Sequence, residues 1–364
     1  MKKGLYIWAG VIALLLFVYA TKAILLPFLV GLAVAYLLDP VTDKFELIKL
    51  PWGKNKHLPR WIATVMTLVL FFFGAGGVLA AIFPLVKTQV FSFIQNLPDY
   101  IAAARPVLED MFSQVTRALN IDSGITGESF LESAARTALD KTGVILAGFW
   151  SGGMALFNLL MLLLITPVTA FFLLRDWDIL MAKVVALLPR DKAPAIRKIG
   201  RDIDTALGGF VRGQTLSALV MAVLYGLGWS LVGLEFALVL GLIGGLMAYI
   251  PFVGALFTFL LAMLIGLGQF GLDVIPLLKI AAVYAVVQGI EAAVLTPRLI
   301  GSHVRLHPVW VLFAIFAGGE LMGFVGVLIA IPAAAVAGVL IRHTVERYLA
   351  SPLQEGTNKK KKAG

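Results

Sequence analysis

Two carboxylates stand where carboxylates are costly. Glu291 and Glu320 each interrupt an apolar run, over residues 280–295 and 306–341. An ionisable group in hydrocarbon costs roughly 2.5–3.5 kcal/mol on insertion scales, so it persists where it faces protein or a watery path. Glu320 follows Gly318-Gly319, where unwound backbone would offer carbonyls to a cation or N–H groups to a polar ligand. Tyr284, Gln288 and Glu291 share one helical stripe at i, i+4 and i+7. Gln214 follows Arg212-Gly213 at the head of another apolar stretch, and Arg298 follows Pro297. These residue types suit an ion or proton pathway. The plainer alternative is an ion pair with Arg298 and interhelical hydrogen bonds from the two glutamines.

Enzyme chemistry finds little support. No His-Glu-x-x-His pattern is present, and His57, His303, His307 and His343 fall in loops or at helix ends. No Walker loop occurs, and with no cysteine there is no thiolate. The reading is a non-enzyme without metal or cofactor. The chain is 60% hydrophobic and 14% charged, against about 45–50% and about 25% in soluble domains. With a mean hydropathy of +0.94, that composition describes a multi-pass membrane protein. The net charge of +9 then marks cytoplasmic loops rather than a nucleic-acid partner. The lysine run 359–362 reads as a solvated tail that touches anionic lipid.

The elements that hold these residues are apolar helices. Charge-free stretches cover 4–21, 23–38, 61–86, 142–174, 213–234 and 236–272. The first two form a hairpin that returns at Asp39-Pro40 into a basic loop ending at Arg60. Residues 87–141 hold five basic and seven acidic residues, which places them outside; residues 175–204 hold seven basic residues, which places them inside. Both termini are then cytoplasmic. The expected divisions are N-terminal helices over 1–86, an external amphipathic helical insert over 87–143 and a transmembrane helix over 144–174. A cytoplasmic amphipathic segment over 175–207, a transport repeat region over 208–341 and a basic tail over 342–364 follow. Within the insert, one helix carries Val90, Phe93, Ile94 and Leu97, a second begins at Pro106, and a third opens at Ser129.

Two long segments read as broken. Residues 236–272 run about 37 residues without a charge, against roughly 20 for one crossing. Gly244-Gly245 in the first segment matches Gly318-Gly319 in the second, 74 positions on. Phe252-Val-Gly-Ala-Leu likewise matches Phe324-Val-Gly-Val-Leu, with Pro251 at the first tip. The expected fold is all-α and polytopic: about six full spans plus two re-entrant helical hairpins, about eight hydrophobic segments in all. The C-terminal half forms an inverted repeat. Interrupted segments in matching halves point to a site near mid-membrane. The expected pathway residues are Gln214, Pro251, Gln288, Glu291, Arg298, Gly318, Gly319 and Glu320.

Residues 212–332 carry a more specific pattern. It comprises Arg212-Gly-Gln, Ile250-Pro-Phe-Val-Gly254, Glu291, Thr296-Pro-Arg-Leu-Ile-Gly301, Leu306-His-Pro-Val309, Gly318-Gly-Glu-Leu-Met-Gly323 and Ala330-Ile-Pro332. This resembles the autoinducer-2 exporter family of bacterial inner-membrane permeases, and the likeness covers nearly the whole chain. It implies export of a small polar molecule by alternating access, a homo-oligomer and a bacterial inner-membrane location. Some members are described as sodium (or lithium)/proton antiporters that use a Pro-Gly-Gly-Gly-Glu run. Here the run is Phe316-Ala-Gly-Gly-Glu320, which keeps the carboxylate and loses the proline and one glycine. Three functions follow as expectations: export of a small polar solute, antiport of a monovalent cation and protons centred on Glu320, and a non-transporting structural or regulatory role in the membrane.

Overall fold

The computed structural model describes residues 20–21, 24–49, 57–119, 153–188, 193–300 and 307–349. They form α1 (Leu25–Glu46), α2 (Arg60–Leu119), α3 (Gly153–Ala186), α4 (Ala193–Val232), α5 (Ala237–Met247), α6 (Val253–Phe270), α7 (Val274–Ile290) and α8 (Pro308–Leu349). A π-helical segment, Glu291–Ile300, continues α7. Seven helices among the described residues are long and apolar enough to cross a membrane. Large apolar side chains stand open on their surfaces: Phe73 is 79% exposed and Leu231 90%. Surfaces of that kind are compatible with lipid and not with water. A helix also satisfies its own backbone polar groups, as hydrocarbon demands. The chain is an all-α, multi-pass membrane protein. The expected first span over 4–21 and the insert helix opening at Ser129 lie outside the described residues, apart from Ala20 and Thr21.

Several helices run further than the sequence suggests. α1 does not return at Asp39-Pro40 but continues to Glu46. A proline within a helix cannot donate to the carbonyl four residues back, here that of Tyr36. Arg212 takes that carbonyl instead, with Nη1 3.1 Å away. The helix keeps its proline because a guanidinium replaces the missing donor. α2 likewise runs 60 residues through Pro84, Pro98 and Pro106, so no helix begins at Pro106. α3 continues past Arg175 to Ala186, and α4 joins the expected amphipathic segment to the span after it.

The chain divides into two compact units. The first holds the described parts of residues 1–70, 162–213 and 298–364. In it α1 buries the stripe Gly31, Ala35, Leu38 and Thr42. Gly31 admits α3, since a Cβ there would stand 2.7 Å from Thr169 Cβ. The buried hydroxyls of Thr42 and Thr67 lie 3.2 Å apart and tie α1 to the start of α2. Small residues and short hydroxyl contacts of this kind are how helices associate in lipid.

α8 belongs to the first unit and is not straight. At Gly323 the backbone turns through φ 63, ψ −141. Only glycine enters that region without strain. A Cβ on Gly318 would lie 2.5 Å from the Gly326 carbonyl oxygen. Residues eight apart in a straight helix are about 12 Å apart, so the chain folds back on itself at Gly323. We call this hairpin two.

The second unit holds the described parts of residues 71–161 and 214–297. α5 and α6 fold against each other there as hairpin one, around the link 248–252. Gly244 packs on the Tyr225 ring and the Thr258 methyl, each 2.9 Å from a Cβ placed on it, and Gly254 packs directly on the Met247 carbonyl. α4 lies along α5: a Cβ on Gly241 would meet the Gly226 backbone at 2.6 Å, and one on Gly245 the Ala218 carbonyl at 2.6 Å. Trp229, wholly buried, stacks on Tyr225 and donates to the Ile280 carbonyl of α7 at 3.3 Å. Tyr100 of α2 is buried against Gly268 and Phe236, and its hydroxyl donates to Glu235. Burial, and then that carboxylate, push the phenol up to about 12.

Candidate functional site

Hairpin one gathers neutral hydrogen-bonding groups within the second unit. Gln214 is 5% exposed, and its Nε2 donates to the Ala248 carbonyl at 2.7 Å. The hydroxyls of Thr215 and Tyr249 share a 2.8 Å hydrogen bond. Both contacts join α4 to the link of the hairpin, where Pro251 also lies. The Pro251 carbonyl accepts from Val253 N at 2.7 Å, a tight turn that throws Phe252 to φ 64. Ser217, three residues after Gln214, is 1% exposed, and its Oγ has no partner among the described residues. Gln288 lies on α7, where its Oε1 accepts from Tyr225 at 3.1 Å. Glu291 is half-buried and opens the π-helical segment.

The other expected residues lie in the first unit. Gly318 and Gly319 sit on the incoming arm of hairpin two, where a Cβ on Gly319 would meet the Val327 side chain at 3.3 Å. Glu320 is exposed and forms no ion pair among the described residues. Arg298 is exposed near the end of the π-helical segment. Of the eight expected residues, Gln214 bonds the link of hairpin one that contains Pro251; Gly318, Gly319 and Glu320 belong to hairpin two; Gln288 is engaged by Tyr225; and Glu291 and Arg298 lie in the π-helical segment.

The first unit also contains a polar cleft of about 390 Å³ that the sequence reading missed. Asp39, Asp43, Asp178 and Asp204 line it with Arg60, Arg212, Tyr36 and Trp177. Arg60 is the hub. Its Nε donates to the Leu174 carbonyl at 2.8 Å. Its Nη atoms lie 3.2 Å from Asp39, 3.3 Å from Asp43, 3.3 Å from Glu46 and 3.2 Å from Asp178. One guanidinium thus gathers carboxylates from α1 and α3 at the first residue of α2. Its planar fork of five donors is the group that fits such a set. Also in the cleft, Tyr36 donates to Asp204 at 3.1 Å, and its ring meets Trp177 edge-on at 6.4 Å. Among the described residues no cluster of histidine and acidic side chains is arranged to hold a metal ion. A usable signal was present: Asp39, Asp43 and Glu46 fall at i, i+4 and i+7, one stripe of a helix. Ending that helix at Pro40 hid it.

The model of the AI-2E family transporter matches residues 8–346. The candidate transport protein YrrI of Bacillus subtilis (strain 168) is 29% identical over 330 residues, covering 88% of this chain and 87% of its own length. The candidate permease PerM of Escherichia coli (strain K12) is 26% identical over 330 residues, covering 89% and 88%. The candidate transport protein YueF of Bacillus subtilis (strain 168) is 23% identical over 321 residues, covering 88% and 84%. With an all-α, multi-pass fold and a match over nearly its whole length, the chain belongs to the AI-2E family of transporters.

Proposed function

We propose that this membrane transporter exports a small polar molecule by alternating access, with the two hairpins as its moving parts. The observation that carries this reading is the shared construction of the hairpins. Each glycine-rich segment folds back, and in each a matching glycine of the returning arm, Gly254 or Gly326, packs on a carbonyl of the incoming arm. Interrupted helices in matching positions are the form that substrate sites take in transporters built from repeats. In our reading both hairpins are re-entrant, their topologies are opposite, both termini are cytoplasmic, and the protein sits in a bacterial inner membrane as a homo-oligomer.

Purified protein in liposomes tests this. Radiolabelled ribose, glycerol and sodium serve as probes. Export predicts saturable flux of at least one of the neutral solutes, and a protein that moves none of them in either direction is not an exporter of this kind. A second reading, antiport of sodium or lithium against protons at Glu320, is favoured by one observation: that carboxylate is exposed and has no ion-pair partner among the described residues. It predicts that added sodium collapses a preset pH gradient and that Glu320→Gln abolishes the effect.

A further inference from the structure

Most hydroxyls on these helices are spoken for. Thr64 donates to Arg60 O at 2.8 Å, Thr67 to Ala63 O at 2.9 Å, Ser230 to Gly226 O at 2.6 Å and Thr258 to Gly254 O at 2.7 Å. Each bonds back to the carbonyl four residues earlier, the usual solution for serine and threonine in a helix. Ser217 makes no such bond and has no other partner among the described residues, although it is 1% exposed. A buried hydroxyl left unpaired carries its full desolvation cost, and such groups are uncommon enough to call for a reason.

Its position supplies one. The residues on either side of it in sequence touch hairpin one: Gln214 through Ala248, Thr215 through Tyr249, and Ala218 through its carbonyl beside Gly245. Ser217 shares a stripe with Gln214 and with the buried Met221. The side chains that bridge α4 to the hairpin link here are neutral, an amide and two hydroxyls, so the local chemistry is hydrogen bonding without charge.

We propose that the Ser217 hydroxyl contacts the transported solute, holding an uncharged oxygen-bearing group of it by a hydrogen bond once hairpin one parts from α4. The bonds Gln214–Ala248 and Thr215–Tyr249 are the ties that break in that movement. This assignment rests on the transport reading and names a residue for it.

The test uses the full chain in liposomes. The sequence has no cysteine, so Ser217→Cys introduces a single thiol. During turnover that thiol should react with a water-soluble methanethiosulfonate, with transported ribose or glycerol slowing the reaction. Ser217→Ala should raise the KM for that solute by about tenfold, the value of one hydrogen bond, while the thermal midpoint stays level or rises because an unpaired polar group is gone. Wild-type KM in Ser217→Ala, a thiol that stays unreactive throughout turnover, or a fall in thermal midpoint that accounts for the lost flux would each overturn the assignment. So would a wild type that carries sodium but neither neutral solute, although transport itself would then stand. A wild type that moves none of the three probes removes the transport reading and this assignment together, an outcome read on the wild type alone.

Discussion

Gly318 and Gly326 meet backbone to backbone across the fold of α8, so that a side chain on either would enter the other's carbonyl. A helix meeting a helix at that distance has no room for a methyl group. The contact holds hairpin two closed and identifies the position where a substitution is least tolerated.

Gly326→Ala should therefore destabilise the protein by about 2–3 kcal/mol, the upper range for overpacking, since backbone cannot move aside as a side chain can. Gly319→Ala is the control. Its added methyl would meet only the Val327 side chain, at 3.3 Å, which can shift by a few tenths of an ångström. Thermal midpoints in detergent should fall clearly for the first variant and little for the second. Equal midpoints would mean that the two arms do not touch at these glycines.

Arg60→Gln should destabilise the protein by roughly 1–3 kcal/mol, because it removes the second donor to the Leu174 carbonyl and leaves the surrounding carboxylates without a cation. The carboxylates are partly exposed, which keeps the loss below that of a buried ion pair. Arg60→Lys should recover less than half. An ammonium keeps the charge but cannot reach the carbonyl and the carboxylates together. Thermal midpoints at low and high salt separate the two contributions, since only the carboxylate part is screened.

Much of this architecture was legible in the sequence. Charge-free runs over 61–86, 213–234 and 236–272 fall on described helices, and the Gly-Gly and Phe-Val-Gly strings fall where α5 and α6, and the two arms of α8, pack closely. The cleft was not legible. Its reading depends on α1 continuing through Pro40, and the local rule says that a proline ends a helix. What overrides the rule is Arg212, 172 residues away in sequence, on the Tyr36 carbonyl. A tertiary donor replaced a local one, and no window of sequence contains both. One partner of Gln288 was hidden for the same reason: besides its stripe neighbour Tyr284 it bonds Tyr225, on another helix.

Gln214→Leu keeps the bulk of the side chain and removes the donor to Ala248. The cost should be about 1–2 kcal/mol, in line with interhelical hydrogen bonds in lipid and an unpaired carbonyl. Hairpin one should also loosen from α4, so a thiol at Ser217 should react faster in the Gln214→Leu background than alone. An unchanged rate would mean that the amide does not restrain the hairpin.

Tyr100 supplies a pH test. Its phenol sits near about 10 in an unfolded chain and about 12 here. The fold favours the neutral form, so this contribution to stability is complete below a pH of about 10 and is lost as the pH rises toward 12. Thermal midpoints of the wild type should fall more steeply across that window than those of Tyr100→Phe. Parallel curves would remove Tyr100 as the cause.

The two hairpins turn by different means, and this bears on how each can drift. Hairpin two turns at Gly323, whose backbone excludes other residues; hairpin one turns through Phe252, a bulky residue held at positive φ. Its φ 64 and ψ −54 are those of a γ-turn, a sparsely populated conformation that costs a non-glycine residue about 1–3 kcal/mol, and the native chain already carries that cost at Phe252. Mutational tolerance should therefore be lopsided. At 323 nearly every replacement is selected against on backbone grounds alone. At 252 glycine removes a backbone cost, so hairpin one has a downhill substitution open to it that hairpin two, already turning on glycine, does not.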